Sequence, residues 1–339
     1  MSLDIFAIAF VIITSILWYV NRGKNNKKIN RTQNVVVKRS RSTKNKIRSI
    51  ASTPKTPLRL IPETNIALNH SDDFLSFTLL SFDILNRSQQ QKINDMSHCC
   101  RQPNPLLLSL TKSELEPKEL IDLIKSDAEI TAKIINTANS SLFSLQQPIE
   151  SIHHAIMFMG ITAVRSIAIQ FILQQNLSFT DNEQAAAYKK VWISSYIASS
   201  LVFLLAKHLD KDNAAELSTL CLLISLGDIT MLSYEPSMAT TYLRQPSLFE
   251  RVRDGQLSLD MNSSVIGKAL AEQWQLPKSI VEGIGNSLSP LVNDKLSSVL
   301  PLEDAENTLL CYLSCRLGDL IAFNGVKDIF QIENHAIAA

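Results

Sequence analysis

Residues 119–169 read ELIDLIKSDAEITAKIINTANSSLFSLQQPIESIHHAIMFMGITAVRSIAI, and this stretch decides the fold. Apolar residues recur in it three and four positions apart, which is the period of an amphipathic helix. Asp127 precedes one such run and is suited to cap a helix there. Ser151 precedes another run, and Gly160 ends it because glycine accepts a left-handed backbone. The stretch therefore predicts short, capped helices joined by tight turns.

The rest of the globular part has the same helical spacing. Apolar residues make up 45% of the 339-residue chain, whereas only 9 residues are glycine, which disfavours a sheet with many tight turns. Residues 196–205 and 217–229 are strongly apolar and predict two central helices that pack together. Residues 74–85 predict a core helix that is too short to cross a membrane. We expect an all-α protein with a multi-helix bundle over residues 72–331.

The opening stretch resembles the HDOD family. The family pattern has an acidic residue that opens a helix, a T-A-K-h-h-x-x-A-N-S run, a P-I-x-S-I segment, A-I-x-x-h-G and a V-R pair. The matching residues that we take as the motif and candidate docking region are Asp127, Lys133, Asn139, Ser140, Pro148, Ser151, Gly160 and Arg165. The resemblance implies an HD-like helical bundle that serves in bacterial signal transduction, through protein partners or a bound nucleotide. It is strongest over residues 119–169, and an HD-like remnant follows at 190–320.

HDOD domains are similar to HD-type phosphohydrolases, whose metal ions are held by His and Asp side chains from several helices. By this resemblance, the segments that would carry the ligands are residues 192–195, 222–227, 263–277, 284–290 and 313–317. The side chains at the ligand positions are Ser194, Ile224, Ser225, Ser263, Ser287, Leu288 and Cys315. Serine, isoleucine and leucine are not ligands of a hydrolytic metal. The resemblance thus implies a degenerate metal site.

The histidine content agrees with this interpretation, because only His208 of the six histidines lies between residues 155 and 334. We therefore predict a protein that is not an enzyme, has no cofactor or metal, and acts as a scaffold for an unidentified protein partner. The alternative is a metal-dependent HD-type phosphohydrolase that acts on nucleotides or cyclic dinucleotides. That activity needs ligands that these segments lack.

Three smaller features invite a functional interpretation beside a plainer one. Residues 98–100 (His-Cys-Cys) suggest a soft-metal cluster, but adjacent residues diverge on a helix and no fourth ligand is evident. Cys311 and Cys315 share a helix face, where they would bind metal, respond to oxidation or simply pack as small apolar residues. Asp228 is either a displaced catalytic acid or an ordinary carboxylate on a helix face. We favour the plainer interpretation of each.

The N-terminus predicts a single membrane span over residues 3–20, since residues 5–20 carry no charge and Trp18 and Tyr19 stand where an interfacial aromatic belt lies. Basic residues follow at once, and the positive-inside rule keeps them in the cytoplasm. We expect a single-pass protein of the bacterial inner membrane, with its N-terminus outside and its C-terminal domain cytoplasmic. A cleaved signal peptide is the alternative, although its positive charge would precede the apolar run.

Residues 21–62 predict a disordered basic linker. Thirteen Lys and Arg fall between residues 21 and 59, and Asp4 is the one acidic residue before position 60, so the remainder holds 20 basic and 31 acidic residues. The plainest interpretation is a topology signal and a solvated linker; the alternative is attraction of residues 22–59 to anionic lipid. Nucleic acid is disfavoured as a partner, because the domain is acidic and the arm has no interleaved aromatic residues.

Overall fold

The computed structural model describes residues 76–99, 104–112, 115–140, 147–175, 181–244, 247–293 and 296–324. Every regular element in these ranges is helical, which confirms the predicted all-α class. The predicted anchor at residues 3–20 and the predicted linker at 21–62 lie outside the described residues and stay predictions.

The described ranges contain fourteen α-helices and three short 3-10 turns. The helices are α1 (Arg87–Cys99), α2 (Leu106–Leu110), α3 (Pro117–Lys125), α4 (Ala128–Ala138), α5 (Ile152–Met159), α6 (Ile161–Gln175), α7 (Asn182–His208), α8 (Ala214–Ile224), α9 (Leu226–Tyr234), α10 (Met238–Arg244), α11 (Leu248–Leu259), α12 (Ser263–Gln273), α13 (Lys278–Gly285) and α14 (Leu302–Asn324). The 3-10 turns are Phe82–Ile84, Ser289–Leu291 and Leu296–Ser298.

The helix ends predicted at Asp127, Ser151 and Gly160 are confirmed. Pro117 is the first residue of α3, where its missing amide costs nothing. The Asp127 carboxylate accepts two backbone amides of the first turn of α4, each at 3.0 Å. Ser151 caps α5 by accepting the His154 amide at 3.2 Å, and Gly160 ends that helix with a φ of +86°. Local hydrogen bonds thus set the boundaries of these helices.

Helix α7 makes the most extensive helix contacts of the bundle, with α14 and with α8. The buried hydroxyls of Ser199 and Ser218 lie 2.8 Å apart between α7 and α8. The two predicted central helices therefore do pack together. The second of them is broken, however, because α8 ends at Ile224 and α9 begins at Leu226. Ser225 stands at the break.

Two helical segments of the described ranges, Asn182–His208 and Ala214–Tyr234, are long and apolar enough to cross a membrane by length and composition. A bent pair, Ile152–Met159 with Ile161–Gln175, would count as a third. In this fold the core uses their apolar surfaces: more than half of the most apolar window in each single segment is buried against other helices. Core packing thus accounts for their hydropathy.

The helix predicted over residues 74–85 is wrong in its described part. Residues 77–81 have no regular structure, and a single 3-10 turn follows them. The Leu80 amide donates to Gln256 Oε1 at 2.9 Å, and the Leu80 carbonyl accepts from Asn262 Nδ2 at 2.9 Å. Side chains of α11 and of the α12 cap thus take up backbone groups that a helix would have paired internally.

Candidate functional site

By the family resemblance, seven positions correspond to metal ligands of HD-type enzymes. All seven line one cavity of about 60 Å³. They come from α7, from the break between α8 and α9, from the start of α12, from the turn after α13, and from α14. The residues are Ser194, Ile224, Ser225, Ser263, Ser287, Leu288 and Cys315. The fold therefore keeps the convergence of these segments, whatever their side chains are.

Two glycines allow the helices around the cavity to come this close. A Cβ on Gly318 of α14 would lie 2.4 Å from the backbone oxygen of Ser194 in α7. A Cβ on Gly227 of α9 would lie 1.8 Å from the backbone oxygen of Ser263 in α12. Both distances are shorter than any real carbon–oxygen contact, so these positions admit only glycine without a shift of backbone.

The serine hydroxyls of the cavity are committed to the protein itself. Ser225 and Ser287 each donate to the carbonyl three residues earlier in the chain, at 2.8 and 2.7 Å. Ser194 donates to Asp319 Oδ1 at 2.8 Å. A neutral hydroxyl that donates a hydrogen bond to another group of the protein offers a metal ion only a weak lone pair. Mg²⁺ and Mn²⁺ prefer hard anionic oxygen ligands.

Two carboxylates, Asp228 and Asp319, face the same cavity. Asp228 accepts a hydrogen bond of 2.6 Å from the Tyr242 hydroxyl. Asp319 forms a buried ion pair with Arg251, and Nη1 of Arg316 lies 3.8 Å from its Oδ2. Our interpretation of Asp228 as an ordinary helix-face carboxylate is wrong, because its side chain lies inside the cavity and is bonded there. Its place in the first turn of α9, just after the break, directs it inward.

Burial is the largest influence on the pKa values of Asp228, Tyr242 and Arg251. Burial raises the pKa of Asp228, against the opposing effects of the Tyr242 hydrogen bond and the Arg251 charge. Burial also raises the pKa of Tyr242 well above its ordinary value. For Arg251, burial alone lowers the pKa, but the charges of Asp319 and Asp228 more than offset this, and the net pKa is raised. The guanidinium therefore stays charged inside the fold.

The side chains present do not fit a hydrolytic metal ion. Across the described ranges, no three His, Cys, Asp or Glu side chains are grouped so that they would hold one. Cys221 also lines the cavity, but burial raises the pKa of its thiol well above the ordinary value, and the thiolate is the form that binds metals. With both carboxylates already bonded, no donor set is left over for a metal.

The cysteines of α14 fit the plainer interpretation in part. Cys311 is buried, and its carbonyl oxygen lies 3.9 Å from the Cys221 sulfur. Cys315 is half-buried at the cavity wall. Our interpretation of residues 98–100 as ordinary residues and not a metal cluster stays a prediction, because the last of them lies outside the described ranges.

The motif residues near the opening stretch have structural roles in the fold. The Asn139 side chain bonds both the amide and the carbonyl of Ile149, each at 2.7 Å, and so holds the end of α4 against the residue that precedes the α5 cap by two. Lys133 Nζ lies 5.7 Å from the centroid of the Phe171 ring. The Asp127 Oδ2 atom accepts from Asn104 Nδ2 at 3.0 Å in addition to capping α4.

The candidate docking region contains both exposed and buried members. Pro148 is exposed, whereas Arg165 is only 5% exposed and donates from Nη1 to the Lys112 carbonyl at 3.4 Å. Burial lowers the pKa of Arg165. The buried Ser140 hydroxyl has no hydrogen-bond partner within the described ranges. The Arg165 side chain therefore does not contribute to a surface, and the docking role of the others stays a prediction.

The sequence profile of the HDOD domain matches residues 104–290, more than half of the chain. This range includes the opening stretch, the helix break at Ser225 and six of the seven degenerate ligand positions. The chain therefore belongs to the HDOD domain family.

Three similar proteins, one matched by sequence and two by structure, have low sequence identity to this chain. An uncharacterized protein of Treponema pallidum (strain Nichols) is 22% identical over 204 residues, which are 59% of this chain and 39% of that relative's length. An HDOD domain protein of unknown function from Geobacter sulfurreducens has a TM-score of 0.53 at 16% identity, covering 74% of this chain and 87% of its own. A protein from Shewanella amazonensis SB2B, named as a candidate phosphohydrolase, has a TM-score of 0.50 at 17% identity, covering 74% and 93%. At these identities the structural likeness shows the fold.

Proposed function

We propose that this chain is a non-catalytic HDOD signalling protein, tethered to the bacterial inner membrane, that acts as a scaffold through protein contacts. The observation that carries the proposal is the donor set of the cavity. Positions where a phosphohydrolase would place histidine and aspartate hold serine, isoleucine, leucine and cysteine, and the remaining carboxylates are bonded to Tyr242 and Arg251. A hydrolytic mechanism needs a metal-activated water, which this donor set does not support.

The first prediction concerns metal content and turnover. We expect the full-length chain, purified without chelator, to carry less than about a tenth of an equivalent of Fe, Mn, Zn or Mg. We also expect no hydrolysis of nucleotides or cyclic dinucleotides when each metal is added. Elemental analysis and product chromatography measure the two quantities. A stoichiometric metal together with turnover would establish the phosphohydrolase alternative, which the name of the Shewanella neighbour also suggests.

The second prediction concerns the membrane tether, which rests on the uncharged residues 5–20 and the basic residues after them. We expect the full-length chain to sediment with membranes and to resist alkaline carbonate, because an inserted helix needs detergent for release. Replacing Ile8 and Ile12 by lysine should release it, since each charge at the centre of a span costs about 3 kcal/mol.

The control for this experiment separates the span from its basic flank. A chain in which the lysines and arginines of residues 22–59 are changed to glutamine keeps the apolar run but loses any attraction to anionic lipid. We expect this variant to stay carbonate-resistant, although its orientation is free to change. Release of the wild-type chain by high salt alone would contradict an inserted anchor and favour surface attraction.

A further inference from the structure

The most deeply buried cation of the degenerate site lies among its carboxylates and aromatic rings. Arg251 projects from α11 into the cavity, and its side chain is only 6% exposed. A charged group removed from water to this extent is strongly destabilising unless opposite charge and hydrogen bonds compensate it. The neighbours of Arg251 should therefore reveal what the cavity is built to hold.

Those neighbours come from several helices at once. Asp319 of α14 is the direct ion partner of Arg251, and its other oxygen accepts from Ser194 of α7. The guanidinium carbon lies over the Phe323 ring, 4.4 Å from its centroid, and over the Tyr242 ring, 5.7 Å from its centroid. Carboxylate and aromatic faces together are a favourable environment for a planar organic cation.

The second carboxylate joins the same arrangement through Tyr242. The Tyr242 hydroxyl donates to Asp228 of α9, while the Tyr242 ring faces Arg251. Helices α7, α9, α10 and α14 are thus connected to one positive charge that α11 supplies. A metal ion in an HD-type site connects helices in a comparable way, as a cation shared by side chains from several of them.

We infer that the Arg251 guanidinium is the built-in cation of this site and takes the electrostatic place of a metal ion. The inference deepens the proposed function and rests on it, in that no resident metal competes for the two carboxylates. It also assigns a ligand chemistry to the cavity that is left when the arginine side chain is removed. That cavity should accept a small planar organic cation, namely free guanidinium, from solution.

Chemical rescue of an Arg251→Ala variant of the full-length chain tests the assignment. We expect the variant to unfold at a lower temperature than wild type. Guanidinium chloride at low, non-denaturing concentration should raise its Tm by roughly 2–4 °C relative to the same concentration of NaCl. The wild-type chain should show no such rise. Arg244→Ala, which removes an exposed arginine of α10, is the matched control and should also show none.

Two further variants make the test decisive. Adding Asp319→Ala to Arg251→Ala removes the anionic partner and should abolish the guanidinium effect. If Arg251→Ala does not fold, Arg251→Lys and Arg251→Met, which have nearly the same length, are compared instead. The lysine variant should have the higher Tm, because only it keeps the charge.

Each outcome has one meaning. A guanidinium-dependent rise confined to the Arg251→Ala variant supports the assignment, as does the order lysine above methionine. No rise in a folded Arg251→Ala variant, or methionine equal to or above lysine, would overturn it. The proposed function fails by a different readout, namely metal-dependent turnover of the wild-type chain.

Discussion

Replacing Asp319 by alanine is expected to destabilise the full-length chain by about 3–5 kcal/mol, the typical cost of removing one partner of a buried ion pair. Asp319 is the direct counter-ion of Arg251, whose side chain is 6% exposed. Without it, the guanidinium stays buried beside aromatic rings, and the charge of Asp228 offsets it less well than the direct ion pair did. Arg251 therefore keeps its full desolvation cost but loses the Coulomb attraction that offset it.

Urea unfolding, followed by the helical circular dichroism signal, measures this effect. Asp304→Ala provides the matched control, because Asp304 is an exposed acidic residue in the first turn of the same helix. Loss of an exposed charge should change stability by less than about 1 kcal/mol. If the two variants were equally stable, Arg251 would have to find its compensation elsewhere.

The double variant Arg251→Met with Asp319→Leu tests whether replacing both charges costs less stability than removing one of them. Apolar side chains of similar volume often replace a buried ion pair without loss, because both desolvation costs disappear together. We therefore expect the double variant to be more stable than Asp319→Ala alone. A further loss instead would mean that the guanidinium has contacts worth more than its pairing with Asp319.

Sequence reasoning was most successful where structure is local. The caps at Asp127 and Ser151 and the stop at Gly160 bond to residues a few positions away, so their spacing in the chain is enough to predict them. The convergence of the ligand positions was predictable for another reason. The family resemblance fixes the register of each segment, and the fold then places those segments around one cavity.

The charges of the site could not be predicted in the same way. Arg251 and Asp319 are 68 residues apart, and Ser194 and Asp319 are 125 apart. These bonds join residues far apart in the chain, and Arg251 lies outside the five segments that would carry the metal ligands. Nothing in the sequence marks Arg251 as a buried cation. For Asp228 the sequence did offer a sign of its place in the cavity, because it immediately follows Gly227 of a resembling segment.

The wrong helix at residues 74–85 has a similar cause. Its apolar residues satisfy a helical pattern, but the Leu80 backbone is bonded to side chains of Gln256 and Asn262. Those partners are 176 and 182 residues away, so tertiary contacts override the local preference.

We expect the addition of a single methyl group to destabilise the chain most at Gly227. The Cβ of an alanine there would lie 1.8 Å from the Ser263 carbonyl oxygen, and no side-chain rotation relieves a clash with backbone. Gly267 of α12 approaches from the same side: a Cβ on it would lie 3.2 Å from the Gly227 nitrogen. The two helices are in near contact at this level.

We expect Gly227→Ala to destabilise the chain by roughly 3 kcal/mol or more, at the upper end of overpacking effects, because α9 and α12 must separate. The movement would also displace Ser263 and Asp228, which line the cavity from these two helices. Urea unfolding measures the stability, and the near-ultraviolet circular dichroism of the site's tyrosines reports the displacement.

Gly285→Ala is the matched control for this prediction. The three atoms nearest to a Cβ on Gly285 all belong to the Lys268 side chain, the first at 2.7 Å, and that flexible chain is able to move aside. Gly285 is also the last residue of α13, where alanine offsets the strain by gaining up to about 1 kcal/mol of helix propensity. If Gly227→Ala were as mild as this control, α9 and α12 would not be in backbone contact. Gly227, which ends the L-L-I-S-L-G segment, would then have no role in the packing of these two helices.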